Sequence, residues 1–133
     1  MTRRTATCAC GQLSATCEGE PVRVSICHCL DCQKRTGSVL SANARFQREA
    51  VKVNGASSIF RRKADSGNNL AFHFCPHCGS TVWWKLEAVP GVIAVAIGAF
   101  TDPNFPAPKV SVYEARHHHW VDLESLPVSE HID

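Results

Sequence analysis

Apolar and polar positions alternate with a period of two along much of the chain. Leu13, Ala15 and Cys17 interleave with Gln12, Ser14 and Thr16, and Val22, Val24 and Ile26 with Arg23 and Ser25. The same alternation sets Leu40, Ala42, Ala44 and Phe46 against Ser41, Asn43 and Arg45, and Leu70, Phe72 and Phe74 against Ala71 and His73. Successive side chains of a strand point to opposite faces, so each run predicts a half-buried strand. Residues 92–97 are apolar at every position and predict a central strand covered on both faces. Asn54-Gly55, between the short apolar runs 51–53 and 58–60, predicts a hairpin turn, because both turn positions tolerate positive φ. No window sustains a long stripe at helical spacing. The best helical candidate is the short segment Leu30–Thr36, stopped by Gly37. Three prolines within residues 101–108 predict a loop leading to a last strand near 110–114. The predicted class is mainly β: several short strands and little helix.

Composition narrows the function classes. A chain of 133 residues predicts a single domain spanning 1–133, large enough to bury a core. The formal charge of +2 gives no electrostatic case for nucleic acid or an acidic membrane surface. Arg3-Arg4 and Arg61-Arg62-Lys63 are too short for basic recognition tracts and read as solvated charge. No apolar run of signal-peptide character follows the first arginines, and the longest apolar stretch, 92–100, is about half a membrane span. The expectation is a cytoplasmic protein, monomeric or homodimeric, whose partner is a small molecule. Thiols stay reduced in that compartment, so clustered cysteines read as metal ligands or reactive groups.

Seven of the eight cysteines fall into three clusters. Cys8-Ala9-Cys10-Gly11 and Cys75-Pro76-His77-Cys78-Gly79 are each knuckle-like, with paired thiols at a tight reversal followed by glycine. Together they offer the four soft ligands of a closed tetrahedral zinc site, which would clip the N-terminal strand to the middle of the chain. Cys27-His28-Cys29-Leu30-Asp31-Cys32 offers three thiols where a strand gives way to a short helical turn. The helix amides, Lys34 and Arg35 favour thiolate there. Three thiolates leave zinc one further position, for an exchangeable ligand or a fourth protein donor. Strand phase puts Cys17 in the core; His28, His73 and His77 are the remaining candidates.

In this arrangement the chain resembles the glutathione-dependent formaldehyde-activating enzymes and centromere protein V. The similarity runs over roughly residues 5–128. It rests on the three cysteine clusters, the Lys34-Arg35 pair with Thr36-Gly37-Ser38 after it, Ile97-Gly98-Ala99-Phe100 with Asp102-Pro103, and the tail from Tyr113 through Trp120 to Leu126-Pro127. The resemblance implies an Mss4-like β-sheet tent, a structural zinc held by Cys8, Cys10, Cys75 and Cys78, and a second, catalytic zinc held by Cys27, Cys29 and Cys32. It implies a carbon–sulfur lyase or synthase acting on a glutathione-type thiol adduct of a small aldehyde. Lys34, Arg35, Gly37 and Ser38 are then candidates to receive a ligand carboxylate. The chain departs from the formaldehyde-activating branch in being shorter and in lacking that branch's histidine within residues 110–116. A non-catalytic thiol carrier or interaction module is the alternative, since a three-thiolate site serves that role as well. His117-His118-His119 reads as surface or pocket rim, and Trp83, Trp84 and Trp120 as candidates to line a cleft.

Overall fold

The computed structural model describes residues 2–133. It is mainly β, with 42% strand and 13% helix. In chain order the strands are β1 (Arg3–Thr7), β2 (Ser14–Glu18), β3 (Arg23–Cys27), β4 (Ser41–Gln47), β5 (Val51–Asn54), β6 (Ser58–Lys63), β7 (Asn69–Phe74), β8 (Thr81–Leu86), β9 (Val92–Ala96), β10 (Val110–Val112) and β11 (Glu130–Ile132). One short helix, α1 (Leu30–Thr36), follows β3. Gly37 closes it in the left-handed conformation at φ 71° and donates its N–H to the Gln33 carbonyl. A side chain at that φ is strained, which is why the helix stops at glycine.

The strands form two sheets. The smaller has the order β1-β2-β5 and the larger the order β11-β10-β3-β4-β9-β8-β7-β6. The small sheet lies over one face of the large one. Ala6, Leu13, Ala15 and Cys17 are buried there with Val24, Ala44, Phe46, Ile93 and Val95. The opposite face of the large sheet carries a second apolar group of Phe72, Trp84 and Ala94, flanked by Leu70 and Leu86. Strand β9 sends Ile93 and Val95 to the first face and Ala94 and Ala96 to the second, which explains its unbroken apolar run. The two-sheet arrangement, with cysteine clusters at its turns, is consistent with the Mss4-like tent that the resemblance implies. Among the described residues no helix is long and apolar enough to cross a membrane.

The alternating runs become β2, β3, β4 and β7, and Leu30–Thr36 is the helix. The Asn54-Gly55 hairpin does not form. Strand β5 pairs with β2, with Cys17 opposite Val51 and Ser14 opposite Asn54, whereas β6 pairs with β7. The turn carries the chain from one sheet to the other. The Gln12 side chain holds it there: Nε2 donates to the Ala56 carbonyl at 2.7 Å and Oε1 accepts from the Ala56 N–H at 3.0 Å. Strands β1, β8 and β11 carry weaker signals. β1 is polar at every position but Ala6, β11 is three residues long, and Thr81–Leu86 has two adjacent tryptophans that break the alternation.

Gly55 tests this correction. Its φ is +97°, and a Cβ there would stand 1.9 Å from the Gln12 carbonyl oxygen. Gly55→Ala is expected to destabilise the fold by about 1–3 kcal/mol, read by urea unfolding, through backbone strain and a clash with main chain that cannot yield.

Candidate metal centres and the adjoining cavity

The first cluster is built by two hairpin turns. Cys8–Gly11 is the reversal between β1 and β2, fixed by Cys8 N–H to Leu13 carbonyl (2.9 Å) and Gly11 N–H to Cys8 carbonyl (3.0 Å). Cys75–Gly79 is the matching reversal between β7 and β8, with Cys75 N–H donating to Ser80 (2.9 Å) and Gly79 N–H to Cys75 (2.8 Å). The four sulfurs lie within 4.8 Å of one another. Cys8 to Cys10 and Cys10 to Cys75 are each 3.6 Å apart. Tetrahedral zinc with bonds of about 2.3 Å needs sulfurs roughly 3.8 Å apart, so this donor set fits the ion. Donors aimed at sulfur favour thiolate. The Gln12 amide and His77 N–H point to Cys75 at 3.0 and 3.3 Å and hold its thiol below the ordinary value. Hydrogen bonds from Ser80 bring the Cys78 thiol down to about 5.

The second cluster holds Cys27, Cys29 and Cys32, also within 4.8 Å of one another and all buried. Cys27 ends β3. Cys29 is extended at the N-cap of α1, where its sulfur accepts the Cys32 N–H at 3.2 Å. The helical turn then brings Cys32 back over the strand end. Among the described residues no fourth cysteine, histidine or carboxylate joins the three. The imidazole of His28, fully buried, turns away to Ser111 Oγ at 3.0 Å. His73 stacks on Trp83 at 3.6 Å between centroids, His77 is exposed, and Cys17 sits in the core with burial raising its thiol to about 12. Without a metal, hydrogen bonds from Cys27 and Cys29, with the Arg35 guanidinium nearby, hold the Cys32 thiol far below its usual value. The same sharing pushes Cys27 up. The three thiols share their protons unequally, and binding of a dication there would release protons.

The trio opens into a cavity of about 360 Å³ on the face of the large sheet away from the small one. Its floor is the β3–β4 pair. Ser25 stands opposite Asn43 and Arg23 opposite Arg45, with Cys27 at the trio end. Phe72 and Trp84 form an aromatic wall. The Arg35 guanidinium lies 4.7 Å from each ring, and that of Arg62 lies 5.2 Å from Phe72. Such stacking holds arginines in place while leaving their in-plane donors free. Tyr113, in the left-handed region at φ 56°, packs against the three sulfurs and lines the same cavity.

The candidate carboxylate receptors divide. Arg35 shares a helix face with Cys32, three residues earlier, and lines the cavity. Lys34 lies around the helix from that face, and Lys34, Gly37 and Ser38 are exposed and outside the cavity lining. Of the tryptophans, Trp84 lines the cavity, Trp83 is in the core and Trp120 is 64% exposed. His117 is partly buried within 6.2 Å of His28, and His118 Nε2 donates to Gln33 Oε1 at 2.9 Å. Gln33 also donates to the carbonyls of His28 (2.9 Å) and Arg116 (3.1 Å), tying the trio's loop to the tail.

Arg23, Arg45, Arg62 and Tyr113 carry no local mark of a site in the sequence, because the polar positions of a half-buried strand look the same whether they face solvent or a cavity. The doubly apolar β9 was the available signal. If both faces at 92–97 are covered, the polar side chains on the neighbouring strand β4 are enclosed too.

The family model for the glutathione-dependent formaldehyde-activating enzymes matches residues 3–116. The chain belongs to that family. Among solved structures it is similar to the crystal structure of a Rhodobacter sphaeroides protein, a structural-genomics target, at a TM-score of 0.57 and 16% identity, covering 96% of this chain and 98% of that one. That likeness concerns the fold alone. No curated protein matches. Membership of this family and the two thiol clusters agree on a metal-binding protein linked to glutathione chemistry.

The clusters are separable by mutation. Cys75→Ser is expected to yield insoluble or unfolded protein, because apparent zinc-binding energies on the order of 10 kcal/mol rival a whole fold's stability. Cys29→Ser is expected to remain folded and to bind one metal equivalent fewer than wild type, as read by metal analysis and circular dichroism. A soluble, fully folded Cys75→Ser protein would remove the structural assignment.

Proposed function

We propose that this protein makes or breaks a carbon–sulfur bond between glutathione, or a related thiol, and a small aldehyde. The observation that carries the reading is the three-thiol centre opening into an arginine- and aromatic-lined cavity, in a chain of this family. Cys27, Cys29 and Cys32 are the proposed ligands of a zinc ion, and Cys8, Cys10, Cys75 and Cys78 those of a structural one. When bound at the trio, zinc supplies a Lewis acid that favours the thiolate form of an incoming thiol at neutral pH.

The reaction is an addition without redox change. The thiol sulfur attacks the carbonyl carbon, a C–S bond forms, the C=O π pair moves to oxygen, and the thiol's proton ends on that oxygen. The product is a hydroxyalkyl thioether, and the reverse reaction retraces the same steps. Cleft walls of Phe72 and Trp84 exclude water from the reacting carbon, and Arg35 over both rings favours an anionic ligand. Tyr113 supplies a proton donor beside the trio. Burial first, then the negative charge of Asp65, raise its phenol above the usual value, so it stays protonated at neutral pH. A phenol there can hydrogen-bond the oxygen on which charge develops. It stands in the 110–116 stretch where the formaldehyde-activating branch has histidine. This role belongs in the cytoplasm, where glutathione is reduced.

The test is exchange spectroscopy of glutathione with formaldehyde in the presence of the zinc-loaded protein. Faster adduct formation is expected, together with its loss in Cys29→Ser. Tyr113→Phe is expected to lower turnover roughly a hundredfold while leaving glutathione affinity within about twofold of wild type. Glutathione binding with no acceleration for any small aldehyde would make the protein a carrier instead.

A further inference from the structure

The far end of the cavity is charged without an answering charge. Arg23 and Arg45 are directly opposite on neighbouring antiparallel strands, and both line the cavity. Like charges in that relation destabilise a sheet. Among the described residues neither side chain makes an ion pair or a hydrogen bond. The four ion pairs among the described residues are Arg3–Glu18, Arg4–Glu20, Arg62–Asp31 and His131–Glu114. Arg23 Nε is buried with no partner, and so is Oδ1 of Asn43, one step nearer the trio on β4. Buried polar groups in folded proteins are nearly always satisfied by protein, water or ligand, and these two belong to residues that line the cavity. Asp65 and Asp133 also line the cavity, yet neither reaches an ion-pair distance from these arginines. Burial, then the neighbouring Arg23, depress the Arg45 guanidinium below its ordinary value, as expected of two cations enclosed together.

We infer that Arg23 and Arg45 form a carboxylate-binding subsite at the end of the cavity opposite the three thiols, and that this subsite receives a carboxylate of the thiol ligand. The inference rests on reading the trio as the thiol site. Arg23, Ser25 and Cys27 share one face of β3, so the subsite lies four residues from the trio, about 13 Å along the strand. Glutathione carries its thiol on the middle residue; its extended γ-glutamyl arm sets a carboxylate roughly 10 Å from the sulfur, and arginine's reach covers the difference. A small thiol such as 2-mercaptoethanol touches only one end. Planar guanidinium pairs suit carboxylate geometry, and Asn43 and Ser25 lie between to meet peptide groups. The selectivity of the cavity is thereby set on β3 and β4 as well as at Arg35 on the helix that follows the trio.

Calorimetric titration of the zinc-loaded protein with reduced glutathione and with its diethyl ester tests this. Wild type is expected to prefer the free acid. Arg45→Gln is expected to weaken the free acid about tenfold to a hundredfold and to leave the ester unchanged. Its melting temperature is expected to stay level or rise, since a like-charge pair has been relieved. Arg23→Gln should behave alike and stands in if Arg45→Gln does not fold; Lys52→Gln, exposed on the small sheet, serves as control. Equal affinity of wild type and Arg45→Gln for glutathione, or equal binding of acid and ester, overturns the subsite. If wild type binds no glutathione, the thiol reading fails and succinate decides. A rise in wild-type melting temperature with succinate, absent in Arg45→Gln, retains the anion subsite; no rise removes it.

Discussion

The meeting of two hairpin tips governs this structure. Cys8 and Cys10 sit at the β1–β2 turn of the small sheet, and Cys75 and Cys78 at the β7–β8 turn of the large one. Bringing those four sulfurs together decides which face of the large sheet the small sheet covers. Gln12 reinforces the same corner, holding the Ala56 segment with its amide while that amide also donates to the Cys75 sulfur. The small sheet alone is three short strands with little to bury. Its packing on Phe46, Val95 and Ile93 has value only in the orientation these turns impose.

Once that face is committed, the other is left for chemistry. It shelters three buried thiols at one end, an aromatic wall along one side and a row of arginines. Such a surface works against folding: enclosed like charges and unpaired donors each cost free energy. The apolar core on the covered face offsets that cost. The two demands fall on opposite faces of the same strands, so they do not compete for the same side chains. Trp83 and Trp84 show the division most directly, since one step along β8 passes from core to cavity.

The sequence makes some of this legible and hides the rest for a physical reason. Ligand spacing is local, so each thiol cluster can be read from a few residues, and the seven-residue helix stands out because Gly37 can end it. The core face of β2, β4 and β9 is legible because apolar side chains have few alternatives to burial. Pairing is not local. Val51–Asn54 followed by Ser58–Lys63 has every mark of a hairpin, yet the two strands pair in different sheets, with Gln12 docked onto the turn between them. Polar alternation has the same weakness. An arginine facing solvent and an arginine facing an enclosed cavity look alike along the chain, and what separates them is the coverage of the strand next door.

That distinction bears on where ligand recognition resides. Lys34 and Arg35 sit beside the thiols in sequence and invite assignment to the ligand, yet a helix rotates neighbours about 100° apart, so only one of them faces the cavity. A strand behaves differently, because every second residue returns to the same face. Cys27, Ser25 and Arg23 therefore form a straight row from thiol to guanidinium, with Asn43 and Arg45 running antiparallel beside them. A row of this kind is rigid, since it is hydrogen-bonded on both sides within an eight-stranded sheet. Rigidity fixes the distance between the two ends of the cavity, and under the proposed reading that fixed distance would discriminate ligands by length as well as by charge. A short helix beside a metal site offers no such ruler.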